Sequence, residues 1–232
     1  MKNIFQERKN SPLSGKHLLI NAGPTREPID PVRFISNHST GKMGIALADA
    51  AAESGAYVTL ILGPVSLLPV NKSIKIINVI TAADMARECM ARFRDCDVAI
   101  LAASVADFTP LDTSDTKIKR TGDDLVLRLK PTTDIAAGLG SDKKPGQILV
   151  GFALETDDEI KNARRKLIRK NLDLIVLNSL RDEGSGFGHD TNRITLIDRN
   201  NNIDKFELKS KVDAARDILG KIVSMIESES DG

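Results

Sequence analysis

The sequence predicts an α/β fold: a doubly wound, mostly parallel Rossmann-like sheet with helices on both faces and an appended β-hairpin and flap. Short apolar runs alternate along the chain with segments of helical periodicity. Such alternation is typical of parallel strands joined by right-handed crossovers. The 232 residues, 41% of them hydrophobic and 28% charged, suffice for a sizeable core and are typical of a globular chain.

The regular elements follow from these runs in chain order. Strands are predicted wherever a short run is apolar enough to be buried on both faces. The predicted strands are HLLINAG, AYVTLIL, KIINVI, DVAILAASVAD, QILVGFAL and LDLIVLN. Helices are predicted where apolar positions recur every three or four residues, and Gly55 is the expected stop of the first. The predicted helices are GKMGIALADAAAESG, AADMARECMARFRD, TTDIAAGLG, DDEIKNARRKLIRKN and DAARDILGKIVSMIE.

Two stretches interrupt the alternation. Residues 107–130 are polar and turn-rich, and they end in LVLRLK, which predicts a half-exposed strand. RITLIDRNNNIDKFELK predicts a hairpin that turns at residues 199–202. We therefore predict one domain over 13–228 with a flap at about 108–125. Residues 1–12 would be a disordered or linker N-terminus, and 229–232 a frayed tail.

The charge balance limits the classes of partner. The 33 Lys and Arg residues nearly cancel the 32 Asp and Glu residues, which argues against nucleic acid. No apolar run approaches the roughly 20 residues of a membrane helix, and the first residues lack the apolar stretch of a signal peptide. We expect a cytoplasmic protein without a membrane partner. Cys89 and Cys96 are expected to be small buried side chains.

The first candidate site follows the first strand. About 18 residues, from Asn21 to His38, separate this strand from the helix start, which weakens a dinucleotide-binding interpretation. A P-loop is excluded because Met43 follows Lys42. Ser39 and Thr40 can cap the helix, and Gly41 and Gly44 allow a ligand close to the backbone. The helix start therefore suits either a phosphate or plain capping.

Arg33 and Asn37, in the same segment, are four residues apart. If the segment is helical, they lie on one face and could act together; the alternative is that both are solvated surface residues.

Three further groups are candidates for an anionic ligand. Ala102, Ala103 and Ser104 leave room at a strand end, where Asp107 is either functional or a turn residue. The cations of Lys117 to Arg120 could close over a polyphosphate or simply be solvated. Lys166 and Lys170 are one helical turn apart and face either one site or solvent. Because nucleophile and metal signatures are missing, an enzyme here would work by positioning and electrostatics.

Five segments, in this order, closely resemble bacterial phosphopantothenoylcysteine synthetase. They are AGPTREPIDPVRFISNHSTGKMG, AASVADF, KIKR, GFALET and RKLIRKNLDLIVLN, and the similarity extends from about Leu13 to the last helix. The resemblance implies a ligase of coenzyme A biosynthesis that joins 4′-phosphopantothenate to L-cysteine. It would form an acyl-cytidylate from CTP and release CMP and pyrophosphate. It also implies a homodimer with a shared active site, and a phosphopantothenoylcysteine decarboxylase as a fused or separate partner.

The resemblance also implies roles for individual residues. Asn37 would hold the acyl intermediate with support from Arg33, and Lys117 would neutralise charge in the first half-reaction. The implied substrate-binding residues are Gly23, Ser39, Gly41, Gly44, Ala103 and Ser104. The implied nucleotide-binding residues are Asp107, Lys117, Thr133, Asp134, Ile135, Ala136, Phe152, Lys166 and Lys170.

Mg²⁺ would accompany the triphosphate, although no carboxylate cluster marks a protein-built metal site. Two positions depart from the family pattern, since Arg120 replaces the last flap lysine and Ser104 replaces a common alanine. Three alternatives stay open. ATP could replace CTP, the protein could be an NAD(P)-dependent oxidoreductase on the same fold, or it could bind nucleotide without turnover.

Overall fold

The alternating pattern of the sequence becomes one eight-stranded sheet with helices on both faces. The computed structural model describes residues 11–120, 122, 124–155, 157–179 and 188–230. Its strands are β1 (His17–Ala22), β2 (Arg26–Pro28), β3 (Phe34–Ser36), β4 (Tyr57–Leu62), β5 (Lys75–Asn78), β6 (Val98–Leu101), β7 (Phe108–Pro110), β8 (Leu129–Pro131), β9 (Ile148–Glu155), β10 (Leu174–Ser179), β11 (Thr191–Asn192), β12 (Ile194–Asp198), β13 (Ile203–Lys205) and β14 (Lys209–Ser210). Its helices are α1 (Lys42–Glu53), α2 (Ala82–Phe93), α3 (Ile135–Asp142), α4 (Glu159–Arg169) and α5 (Lys211–Ser230).

The order of the strands places a ligand crevice at the middle of the sheet. The order is β13-β12-β10-β9-β6-β1-β4-β5, and the six strands from β10 to β5 run parallel. The chain winds outward from β1 to β5 and then returns to β6 on the other side of β1. Such a switch point leaves a crevice beyond the carboxyl ends of the two central strands. The predicted fold class is confirmed.

Burial on both faces explains why the central strands are continuously apolar. Along β1, Leu18 and Ile20 pack in the cluster that contains α1 and α5, while Leu19 packs in the cluster with α2, α3 and α4. All three side chains are at most 1% exposed. Because successive strand residues point to opposite faces, each face needs an apolar residue at every second position.

Two predicted strands are shorter than expected. The strand predicted as DVAILAASVAD ends at Leu101, so Ala102 to Asp107 form a connection beyond the sheet. Only the last two residues of LVLRLK belong to a strand, β8 (Leu129–Pro131), which pairs with β7 at the base of the flap.

The predicted hairpin forms, but it is not an appendage. Its strands β12 and β13 extend the central sheet, with β12 antiparallel to β10. Ile194, Leu196 and Ile197 of β12 are at most 1% exposed. Pairing satisfies the backbone of β10, which would otherwise be an open sheet edge.

The segment between β1 and α1 is not helical, so the interpretation that Arg33 and Asn37 share one face of a helix is wrong. It forms the hairpin β2–β3, in which Arg33 lies in the turn and Asn37 follows β3. The Asp30 carboxylate accepts the N–H groups of Val32 and Arg33, both at 2.8 Å. An aspartate that bonds to the backbone two residues ahead favours a turn over a helix.

The chain ends differ in part from the predicted boundaries. The final helix α5 continues to Ser230, so the tail predicted from 229 begins inside a helix, because the helical pattern continues into ESES. Residues 1–10 and 231–232, parts of the predicted N-terminus and tail, lie outside the described residues. Within the described ranges, no helix combines the length and apolarity needed to span a membrane.

Candidate active site

A cavity of about 620 Å³ lies at the switch point, beyond the carboxyl ends of β1, β6 and β9. This volume is typical of small-molecule sites. The structure brings most of the predicted site residues to its wall: Asn37, Ser39, Gly41, Gly44, Ala103, Ser104, Asp107, Thr133, Asp134, Ile135, Ala136, Phe152, Lys166 and Lys170. Gly23, Arg33 and Lys117 are not part of the wall.

The start of α1 forms one end of the cavity. Gly41 is the N-cap residue with φ 75°, and no side chain caps the helix. The predicted capping by Ser39 and Thr40 is therefore wrong: the Ser39 hydroxyl instead accepts the N–H of Gly41 at 3.3 Å. The left-handed turn at Gly41 directs the chain into the helix without a capping side chain. The N–H groups of the first turn have no intrahelical acceptor, so they suit an anion.

Two glycines at this end are needed for packing. A Cβ on Gly44 would lie 2.5 Å from the Ala22 Cβ, so only glycine allows α1 this close to β1. Gly23 has φ 81° and packs beside Gly41, where a Cβ on either residue would lie within 3.2 Å of Val65 Cγ1. Gly23 therefore packs against the start of α1 without lining the cavity.

Side chains from the β1–α1 connection hold the chain that follows β6. The Asn37 amide donates to the carbonyl oxygens of Ser104 and Val105 at 3.0 and 3.2 Å. The buried Asn21 accepts the Ala103 N–H through its Oδ1 at 2.9 Å. These bonds hold the edge of small residues, Ala102 to Ser104, in the cavity wall. The sequence patterns did not single out Asn21.

The opposite wall consists of the start of α3 and one face of α4. Asp134 caps α3 by accepting the Ala137 N–H at 3.1 Å, and it pairs with Lys170 at 2.9 Å. Although burial raises the pKa of Asp134, the Lys170 and Ala137 bonds hold it below its usual value. Lys166 pairs with Glu155 at 2.5 Å. Both predicted lysines therefore face the cavity rather than bulk solvent alone.

Arg33 bonds to the flap and does not line the cavity. The buried Asp30 carboxylate accepts bonds from Arg33 Nε at 3.0 Å and from the Ile118 N–H at 3.1 Å. The Arg33 guanidinium also donates to the Ile118 carbonyl at 2.8 Å. The hydrogen bond from Arg33 holds the pKa of Asp30 well below its usual value. The peptide next to the exposed Lys117 is thus anchored to the β2–β3 turn.

Several polar wall residues are not among the predicted site residues. Four of them come together at the α1 end of the cavity: Lys42, Asn178, Asn192 and Lys211. Asn192 and Lys211 are 1% and 7% exposed. A lone lysine before the last helix resembles a surface residue in the sequence, so its burial could not be anticipated.

The described residues contain no group of three His, Cys, Asp or Glu side chains that could hold a metal ion. Cys89 and Cys96 are buried and unpaired, as predicted, and burial raises the pKa of each thiol to about 12. At such a pKa the reactive thiolate is nearly absent at neutral pH.

Comparisons with known proteins identify the family. Residues 13–226 match the family model of the DNA/pantothenate metabolism flavoprotein C-terminal domain. The chain is 63% identical to a cysteine/cysteine sulfinic acid decarboxylase of an unknown prokaryotic organism, covering 96% of this chain and 63% of that protein. It is 48% identical to the coenzyme A biosynthesis bifunctional protein CoaBC of Bacillus subtilis (strain 168), covering 95% of this chain and 54% of that protein. It thus spans between about half and two thirds of these relatives.

Solved structures agree with this assignment. The C-terminal domain of a CoaBC protein superposes with a TM-score of 0.81 at 37% identity, over 94% of this chain and 100% of that domain. A Cab2 H337A mutant in complex with phosphopantothenate-cysteine superposes with a TM-score of 0.76 at 17% identity, over 100% of this chain and 95% of that one. At that identity the Cab2 match shows the fold alone. The resemblance to the synthetase family stated from the sequence is confirmed.

Proposed function

The chain belongs to the DNA/pantothenate metabolism flavoprotein C-terminal domain family, and on this basis we propose that it is a CTP-dependent ligase of coenzyme A biosynthesis. It joins 4′-phosphopantothenate to L-cysteine through an acyl-cytidylate. One of its relatives is named for a decarboxylation, but this chain spans only 63% of that protein. The proposal therefore rests on the cavity and on the CoaBC relatives.

One observation carries the proposal: two lysines, an uncapped helix start and an edge of small residues all line the same cavity. Lys166 and Lys170 lie at one end, and the uncapped start of α1 lies at the other. Ala103 and Ser104 form the edge. Two anionic substrates repel each other in a cavity of low dielectric, and cations and helix ends at both ends offset that repulsion.

The chemistry needs no nucleophile from the protein. A carboxylate oxygen of 4′-phosphopantothenate attacks the α-phosphorus of CTP, and the bond to pyrophosphate breaks. The cysteine amine then attacks the acyl carbonyl, the bond to CMP breaks, and the amine proton passes to solvent. Lys117 would neutralise charge in the first step, and Asn37 would hold the acyl intermediate in the second. Arg33 supports the site through the flap peptide that it anchors.

We place CTP along the wall formed by Asp107, residues 133–136 and Phe152, with its triphosphate near Lys166 and Lys170. Mg²⁺ would enter on the triphosphate. It usually keeps several waters and takes one or two carboxylates besides substrate phosphates, so Asp107 would be sufficient on the protein side.

Exposed apolar side chains around the flap support a homodimer with a shared site. Val32 and Phe34 near β3, Phe108 on β7, and Val126 and Leu129 near β8 are all exposed. Exposed apolar residues gathered around two neighbouring hairpins mark a protein–protein surface. We propose a second copy as the occupant, and a decarboxylase, fused or separate, as a further partner in the cytoplasm.

Pyrophosphate release tests the proposal. Release should require CTP, 4′-phosphopantothenate and cysteine together, and it should fall when ATP replaces CTP. No pyrophosphate from the complete mixture with either nucleotide would refute the ligase. CTP binding without turnover would favour a binding module.

Tight NAD(P) binding would instead favour an oxidoreductase. The hairpin β2–β3 argues against that alternative, because dinucleotide-binding folds turn directly from the first strand into the helix.

A further inference from the structure

The turn between α4 and β10 presents alternate residues to the cavity. Lys170 and Leu172 line the wall, whereas the side chains of Asn171 and Asp173 bond to residues that do not line it. We propose that Asn171 is a positioning residue for Lys170: it locks this α4–β10 turn (residues 170–173) so that the Lys170 ammonium is held where the triphosphate of the nucleotide would lie. The inference rests on the proposed function and adds to the same site a residue that the sequence patterns did not single out.

The backbone of the α4–β10 turn requires a left-handed residue directly after Lys170. Lys170 is the C-cap of α4, and Asn171 has φ 52°. The N–H of Leu172 donates to the Leu167 carbonyl at 3.0 Å. The N–H of Asn171 donates to the Ile168 carbonyl at 3.2 Å. These two bonds form a Schellman motif, in which glycine is the usual left-handed residue because it has no Cβ. An asparagine here has a conformational cost, which bonds from its side chain can offset.

The side chain of Asn171 bonds to two other elements. Its Nδ2 donates to the Gly140 carbonyl in α3 at 2.7 Å, and its Oδ1 accepts a bond from the Arg199 guanidinium in the β12–β13 turn. Gly140 also packs against Lys170 so closely that a Cβ on Gly140 would overlap the Lys170 carbonyl oxygen. The backbone that carries Lys170 is therefore fixed directly against α3.

An ion cluster of residues outside the cavity wall holds the same turn. The Asp173 side chain is 14% exposed and accepts bonds from Lys143 Nζ at 2.7 Å and from Arg199 Nε at 2.9 Å. Lys143 also donates to the Asn171 carbonyl at 2.9 Å. Arg199 donates to the Leu172 carbonyl at 2.8 Å. Hydrogen bonds from charged donors are about twice as strong as neutral ones, so these bonds restrict the movement of the turn.

A fixed turn matters because lysine has a long, flexible side chain. The Lys170 ammonium pairs at 2.9 Å with Asp134, the N-cap of α3. Gly140, near the other end of α3, contacts the Lys170 backbone. The same helix thus holds Lys170 at its backbone and at its ammonium. A side chain that is already ordered loses less conformational entropy when an anion binds, which increases affinity.

Binding measurements on the full chain test this role without turnover. Asn171→Gly keeps the left-handed backbone and removes both side-chain bonds. The dissociation constants of CTP with Mg²⁺ and of 4′-phosphopantothenate are measured by calorimetry. We expect the variant to bind CTP about threefold to tenfold more weakly, the range of one net hydrogen bond. Its affinity for 4′-phosphopantothenate should change less than about twofold.

Asn201→Gly is the matched control. Asn201 has a left-handed backbone with φ 64°, as Asn171 does, but its side chain is exposed in the β12–β13 turn. Asn201→Gly therefore makes the same chemical change without removing a bond to α3, and it should bind CTP like wild type.

A double-mutant cycle separates positioning from a general effect on the cavity wall. Lys170→Gln alone should weaken CTP binding by about tenfold to a hundredfold, the range of one charge-assisted hydrogen bond. If Asn171 acts through Lys170, adding Asn171→Gly to Lys170→Gln should change CTP affinity by less than about twofold. Unchanged CTP affinity in Asn171→Gly, an equal loss in Asn201→Gly, or the full loss in the Lys170→Gln background would overturn the inference.

A second variant covers the case in which Asn171→Gly does not fold. Arg199→Gln then replaces it in the cycle, because it removes the bond to Asn171 Oδ1 and leaves Lys143 paired with Asp173. The same outcomes apply to Arg199→Gln.

The two proposals can fail separately. If wild type binds CTP and the cycle shows coupling between Asn171 and Lys170 but no pyrophosphate is released, the positioning role stands and the ligase fails. If wild type ligates and Asn171→Gly binds CTP like wild type, the ligase stands and the positioning role fails.

Discussion

The side-chain amide of Asn37 donates to the backbone carbonyl of Ser104 at 3.0 Å, which joins the connection before α1 to the connection after β6. The two residues are 67 positions apart in the chain and meet only because β1 and β6 are neighbours in the sheet. The residue implied to act on the acyl intermediate therefore also shapes the edge of the cavity against which that intermediate would lie.

Asn37→Asp should separate the two half-reactions. The carboxylate cannot donate, and it would face two carbonyl oxygens in place of the amide. We expect acyl-cytidylate to form and accumulate while its conversion to product slows by about a hundredfold or more, the usual effect of losing one positioned donor. Rapid quench with labelled CTP measures both species. Asn200→Asp, in the β12–β13 turn, is the matched control, and product formation by Asn37→Asp at the wild-type rate would contradict the role.

Lys117→Gln should impair the first half-reaction. The exposed ammonium of Lys117 stands on the flap beside the anchored Ile118 peptide, and its loss removes a charge available to the phosphates. We expect acyl-cytidylate formation to slow by about ten- to a hundredfold with CTP affinity less affected. Lys72→Gln, on an exposed loop, controls for the loss of one surface charge. Normal cytidylate formation by Lys117→Gln would rule the role out.

Arg33→Lys tests whether the guanidinium acts through the flap. Lysine retains the charge but cannot bond to Asp30 and the Ile118 carbonyl with the same planar geometry. We expect faster proteolytic cleavage within residues 111–120 and slower cytidylate formation. A variant with wild-type cleavage and slowed product formation would instead show that Arg33 acts directly on the intermediate.

The stability of Asp30→Asn should depend less on pH in the acidic range than the stability of wild type does. Because the folded pKa of Asp30 is lowered, chiefly by Arg33, the charged carboxylate stabilises the fold above its unfolded pKa of about 3.9. That contribution is lost as the pH falls from this value toward the folded pKa. We expect Asp30→Asn to have a lower melting temperature than wild type at about pH 7, and the difference to shrink at about pH 3. A difference in melting temperature that stays constant with pH would show that the charge of Asp30 does not contribute to stability.

Gly44→Ala should destabilise the fold by about 1–3 kcal/mol, the usual cost of overpacking. The new methyl group would lie 2.5 Å from Ala22 Cβ and push α1 away from β1. The matched control is Gly220→Ala on the exposed side of α5, where a Cβ meets nothing within 4 Å. That change should stabilise the helix by about 0.5–1 kcal/mol. Chemical denaturation measures both, and equal effects would mean that the α1–β1 contact can relax.

The central elements could be predicted because their signals are local. Strands β1, β4, β9 and β10 and all five helices occur where the apolar periodicity places them. Buried strands need apolar residues on both faces, and helices need them on one, so neighbouring residues reveal the element. The prediction fails at β2–β3, where backbone bonds to Asp30 decide the conformation instead of periodicity, and it overstates the length of the LVLRLK strand.

The sequence by itself determined the fold class, the family and the motifs that line the cavity, because each depends on residue types at short spacings. The tertiary structure alone decided which distant residues meet. It placed Lys211 and Asn192 beside the start of α1, tied Arg33 to the flap, and joined Asn37 to Ser104. These contacts depend on the order of strands in the sheet. That order results from packing and backbone pairing over the whole chain, which no short stretch of sequence records.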